Sequence, residues 1–96
     1  MLPLVLPSEL RVPRYHFNVE DGQSVPDPEG TMLPDLESAR REAVRLAGRL
    51  LDDDPAHFWS SGAWRVVVTD DARRILFTLD FRAREGAELA AVEPRG

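Results

Sequence analysis

The sequence predicts an α+β fold: a two-layer sandwich in the order ββαββ, with one helix packed on a mostly antiparallel four-stranded sheet. Three observations carry that expectation. Residues 14–20 and 74–82 alternate apolar and polar side chains, the period of a half-buried strand. Residues 36–51 instead repeat their apolar positions at helical spacing. The chain has 96 residues, 43% of them hydrophobic and 30% charged, which suits one small folded domain.

Taken in order, residues 1–13 hold three prolines and little pattern and are expected as a flexible tail. The domain is expected over 14–83, and a second flexible tail over 84–96. Tyr15, Phe17 and Val19 share one face of the first strand; His16, Asn18 and Glu20 share the other. Asp21-Gly22 is a turn signal. Residues 23–34 contain Pro26, Pro28, Gly30 and Pro34, which predict a short, irregular return strand with a second turn near Pro28.

Asp35 is placed to cap a helix, its carboxylate accepting from first-turn amides while Pro34 blocks extension backwards. Leu36, Ala39, Ala43, Leu46, Ala47 and Leu50 form one apolar stripe, which Val44 and Leu51 are expected to widen. Arg41, Arg45 and Arg49 fall opposite it. The helix is expected to stop within Asp52-Asp53-Asp54, with Asp54 capping a short turn that Pro55 begins. Residues 64–69 are rich in β-branched residues, and residues 70–73 read as a turn. The last strand then places Ile75, Phe77, Leu79 and Phe81 on the core face. The expected strand order is 2-1-3-4, with the crossover helix giving a parallel neighbour. The outer face would carry His16, Asn18, Glu20, Arg65, Thr78, Asp80 and Arg82.

Composition removes several chemistries. The chain has no cysteine, so disulfides, zinc ribbons and thiol nucleophiles are out. All twelve basic residues are arginine and the formal charge is −5. An acidic chain repels phosphate at long range, which weighs against a nucleic-acid partner. No apolar run is long enough to span a membrane. Residues 1–7 are apolar but short, and they lack the basic start of a signal peptide. A cytoplasmic setting without membrane contact is expected.

Three blocks of the chain resemble a family of short, uncharacterised proteobacterial proteins, frequent in alphaproteobacteria and described only as a domain of unknown function. The first is Pro13-Arg14-Tyr15-His16-Phe17-Asn18-Val19-Glu20-Asp21-Gly22. The second joins Glu29-Gly30-Thr31-Met32-Leu33-Pro34-Asp35 to Ala39-Arg40-Arg41-Glu42-Ala43. The third runs from Phe58-Trp59 through Trp64, Val68 and Asp70 to Leu76-Phe77-Thr78-Leu79. The resemblance covers most of the chain and implies a shared fold, with no activity attached. The architecture is also similar to that of HicB-type antitoxin domains, which implies a small basic toxin as a partner.

Candidate chemistry is sparse. The two histidines, His16 and His57, share no metal-ligand spacing, and Asp52, Asp53 and Asp54 lack the spaced ligands of a calcium loop. Glu20, Glu42 and Asp70 would have to converge on metal ions to support hydrolysis, whereas surface ion pairing accounts for them singly. No serine lies in a nucleophile motif. No metal or cofactor is expected, and catalysis is not.

What remains is surface. Arg41, Arg45 and Arg49 could engage an acidic partner, or form a solvated face with Glu37–Arg41 and Arg49–Asp53 pairs. Phe58, Trp59 and Trp64 read as packing first and as an interface second. The leading expectation is a non-enzymatic accessory or regulatory module that contacts a protein partner or self-associates through a strand edge. A HicB-like antitoxin and a weak metal-dependent hydrolase are the alternatives.

Overall fold

A computed structural model describes residues 13–86. It is a mixed α/β fold with five strands and two helices: β1 (Arg14–Glu20), β2 (Ser24–Val25), β3 (Thr31–Met32), α1 (Leu36–Asp53), α2 (Pro55–Ser61), β4 (Ala63–Thr69) and β5 (Ile75–Arg82). The tails expected at 1–13 and 84–96 lie outside the described residues, apart from Pro13 and residues 84–86.

The path of the sheet is β2-β1-β4-β5, with β3 also paired to β1. This is the expected strand order, but every pairing is antiparallel. The parallel neighbour is thus corrected. The chain goes up β1, down the return strand and up α1, so β4 enters running down. Strands joined by the crossover, the return strand and β4, do run in the same sense, but β1 lies between them. The return strand is split. β2 pairs with Val19 and Glu20, and β3 pairs with Arg14 and Tyr15. Pro26 and Pro28 cannot donate to a ladder, so the segment between the two pieces leaves the sheet.

α1 starts as expected: the Asp35 carboxylate accepts from the Ser38 amide at 2.8 Å, which holds that carboxyl below its ordinary range. The helix buries Ala39 and Ala43 completely and Ala47 to 3% exposure. Three small side chains at i, i+4 and i+8 let the helix backbone approach the sheet closely. They pack into one cluster with Tyr15 and Phe17 of β1 and Val66 and Val68 of β4. Each buried valine contributes about 1.5–3 kcal/mol.

Three further expectations are corrected. The short turn after Asp54 is a seven-residue helix, so two helices rather than one border the sheet. Its start does follow the expected chemistry, with Asp54 accepting from the His57 amide at 3.1 Å and Pro55 in the first turn. Val44 is 59% exposed and does not widen the stripe, because it sits one residue off the Ala row. Ile75 is 67% exposed instead of buried. The pairing shifts from Val68↔Phe77 to Thr69↔Ile75, leaving Leu76 unopposed, and this bulge breaks the alternation before Ile75 can reach the core. Phe77, Leu79 and Phe81 do face the core side as expected and are half-buried there, while the fully buried sheet residues all come from β1 and β4.

Candidate functional site

The domain presents three distinct surfaces: a polar cluster on the outer sheet face, the α1 arginine row and the β5 edge.

The polar cluster is centred on His16, whose side chain is 16% exposed. Its Nδ1 lies 2.8 Å from the Asp27 carbonyl oxygen and its Nε2 lies 2.8 Å from Asp71 Oδ1. Asp27 occupies the gap between β2 and β3 and replaces the missing ladder. Its Oδ2 accepts from the Phe17 amide at 3.1 Å, its Oδ1 accepts from the Gly30 amide at 3.1 Å, and its own amide donates to Asn18 Oδ1 at 3.0 Å. Asn18 Nδ2 in turn donates to the Val67 carbonyl at 2.9 Å and reaches Thr69 Oγ1 at 3.3 Å. The loop at 26–30 is therefore pinned to the sheet by side chains in place of strand pairing.

Gly30 belongs to the same arrangement. Its φ is 70°, and a Cβ there would stand 2.8 Å from Arg14 Cγ and 3.0 Å from the imidazole. Only a glycine lets the loop press against the His16 ring. A cleft of about 670 Å³ opens beside the ring, bordered by Asn18, Asp27, Thr69, Asp71 and Arg73 among others.

The β4–β5 turn supplies the far wall. Asp70 Oδ1 accepts from the amides of Ala72 and Arg74 at 2.8 and 3.0 Å, and Oδ2 accepts from Arg74 Nε at 2.9 Å. These amide bonds hold the Asp70 carboxyl below its ordinary range. Arg73 completes the turn at φ 63°, the left-handed region that glycine enters without penalty. Arg73→Gly is therefore expected to stabilise the fold by about 0.5–1 kcal/mol. Thermal unfolding checks it, and an unchanged or lower midpoint would mean that the arginine side chain itself supports the turn.

The sequence-predicted surface residues are dispersed. Arg41, Arg45 and Arg49 are exposed on α1 as expected, but each has an acidic neighbour. Arg41 bonds Glu37 at 3.0 Å, while Arg45 and Arg49 both approach Glu42, at 3.7 and 3.4 Å. Arg49 thus reaches back about two turns to Glu42 rather than forward to Asp53. The row presents less free positive charge than its sequence suggests. Trp59 is 58% exposed on α2, its ring 6.4 Å from that of Phe58. Trp64 is 6% exposed on the inner sheet face, packed edge-on to Phe58 at 5.4 Å, with Nε1 donating to Ser61 Oγ at 2.7 Å. It serves the core. Glu20 and Asp70 lie at opposite ends of the sheet, with Glu42 in the helical layer, so the three acids do not converge.

The β5 edge is the third surface. Seven of its eight residues pair with β4, and among the described residues its other side has no strand partner. Across the sheet, the other edge is interrupted between β2 and β3. On the outer face, Glu20, Arg65 and Asp80 line up across β1, β4 and β5, with Arg65 Nε donating to Asp80 Oδ1 at 2.7 Å.

Sequence reasoning placed His16 and Asn18 on the outer face but missed their role. The partners of His16 lie 11 and 55 residues away. The one local signal was the Pro26-Asp27-Pro28-Glu29-Gly30 run, a carboxylate set between two residues that cannot donate and ahead of a glycine.

One antiparallel sheet, a small-residue helix face against it and an outer surface tied by side chains define a small two-layer α/β domain. No helix among the described residues is long and apolar enough to cross a membrane. The chain belongs to the family of the domain of unknown function DUF6894, whose pattern matches residues 14–82. No curated protein and no solved structure matches it.

Proposed function

We propose that this protein is a non-enzymatic interaction module that receives an extended segment of a protein partner as an added strand along β5. The observation that carries this reading is the state of that edge. It is eight residues long and has no strand partner on its outer side among the described residues, and its core-side residues Phe77, Leu79 and Phe81 are left half-buried, with Ile75 and Leu76 exposed at one end. An added strand would satisfy the outward backbone groups of β5, and apolar side chains at alternate positions would cover Phe77, Leu79 and Phe81. The opposite edge is poorly suited to the same task, because Pro26 and Pro28 interrupt it and the 26–30 loop leaves the ladder. A cytoplasmic setting belongs to this reading, supported by a chain without cysteine.

Selecting a library of displayed extended peptides against the protein tests the proposal. Enriched peptides should alternate apolar and polar residues and slow amide exchange at every second residue of β5. Their binding should fall at least tenfold in an Ile75→Lys, Leu76→Lys double variant and persist in an Arg41→Ala, Arg45→Ala variant. Peptides that leave β5 exchange unchanged, or that depend on the α1 arginines instead, overturn it.

A further inference from the structure

We propose that His16 is a proton-operated clamp: as an imidazolium it ties the 26–30 loop to the 70–73 turn across the outer face of the sheet, and the loss of one proton breaks one of the two ties.

The argument rests on what faces the two ring nitrogens. One meets a backbone carbonyl oxygen and the other a carboxylate oxygen, both at 2.8 Å. Both are acceptors, so both nitrogens must carry a proton to make these two bonds together. A neutral imidazole has one N–H and one lone pair. In either tautomer, the lone pair would point at an oxygen lone pair across hydrogen-bond distance. The ring cannot turn away easily, since Gly30 is close against it and its side chain is only 16% exposed.

The surrounding charges favour the protonated ring. From β1 itself comes Arg14, whose Nε lies 4.0 Å from Asp71 Oδ1 and whose Nη1 donates to the Glu29 carbonyl at 2.6 Å. The 26–30 loop brings Asp27, its carboxylate occupied by the Phe17 and Gly30 amides, together with Glu29. The 70–73 turn brings Asp71, Asp70 and Arg73, with the Asp70 carboxylate occupied by the turn's own amides and by Arg74. Four carboxylates against three guanidinium groups, one of them spent on Asp70, leave an excess of negative charge around the ring. In agreement, the bond to Asp71, then the bond to the Asp27 carbonyl, hold the His16 imidazole above its ordinary value of 6.5 despite partial desolvation.

The sign of the pH dependence follows. The folded state binds the His16 proton more tightly than the unfolded chain does, so this contribution is complete below about pH 6.5. It is lost as pH rises through the elevated folded-state value. The 70–73 turn leads straight into Ile75 and Leu76, so the same proton governs how firmly the beginning of β5 is held. The clamp does not depend on the β5 proposal and fails or stands separately from it.

Titrating the imidazole nitrogens by ¹⁵N-detected NMR between pH 5 and 10 tests the clamp in the intact protein, with a His57→Gln variant to simplify assignment. Both His16 nitrogens should stay protonated beyond pH 6.5. As they titrate, amide exchange at Gly30 and Ala72 should accelerate. In Asp71→Asn, the titration should move down towards 6.5, and the decline in thermal midpoint above that pH should flatten relative to the wild type. A His16 ring that is a single neutral tautomer at pH 6.5 overturns the clamp, and the wild-type spectrum alone decides this if Asp71→Asn fails to fold. A pH profile of stability identical in wild type and a folded Asp71→Asn overturns it as well.

Discussion

Phe17→Ala is expected to destabilise the protein by about 3–5 kcal/mol. The ring is 7% exposed in β1, stands directly across from Val68 of β4 and belongs to the cluster under the α1 alanines. Those alanines have no length with which to fill a void, so the space left by the ring collapses poorly. A domain of this size holds roughly 4–11 kcal/mol in total, so the loss takes a large share of it. Urea denaturation followed by circular dichroism should show a much lower midpoint at an unchanged slope. A loss below about 1 kcal/mol would place the centre of packing somewhere other than the β1–β4 pair.

Trp64→Ala carries the second large effect, also about 3–5 kcal/mol. Trp64 joins α2 to the sheet: its ring packs on Phe58 at 5.4 Å and on His57 at 5.4 Å, and its indole N–H is bonded to Ser61. Trp64→Phe keeps an aromatic ring but drops the hydrogen bond, which alone contributes about 1 kcal/mol, so it should lie between wild type and alanine. Trp59→Ala, with more than half of the side chain in water, should change stability by no more than about 0.5 kcal/mol. Comparable losses for the two tryptophans would mean that Trp59 packs more tightly than its 58% exposure indicates.

These two residues also show how far the sequence was legible. The alternation that put Phe17 inward, the Asp35 cap and the Ala39–Ala43–Ala47 spacing are local patterns, and the structure carries them out. The expected strand order was also correct, because a hairpin followed by a crossover leaves few other routes. The direction of β4 is not legible in the same way: the helix joins the return strand to β4, and β1 lies between them, so β4 runs antiparallel to its neighbour. Ile75 was misplaced by a bulge, since one extra residue reverses which side of the sheet the next side chain faces and leaves no mark in a six-residue window. Val44 looked apolar enough for the core, yet the alanine row fixes the helix rotation and turns Val44 outward.

The candidate sites were less legible than the fold, for a related reason. The arginine row could be read on a helical wheel, but the same wheel places Glu37 and Glu42 beside it, and these acids neutralise much of its charge. The His16 ties join residues brought together only by tertiary structure. No spacing rule links position 16 to positions 27 and 71, and a proline-rich segment reads as irregular before it reads as a substitute for a strand. An exposed edge is likewise invisible until it is known which strand ends the sheet.

The unequal borders of the sheet set a limit on assembly. Ladder growth of the kind that produces fibres needs two receptive margins on every subunit, so that each addition creates the site for the next. Here the margin broken by Pro26 and Pro28 offers, among the described residues, two short paired stretches with no ladder between them. A segment joining along the opposite margin, as proposed above, would meet a subunit that cannot pass the pairing on, so geometry would hold association to a discrete complex.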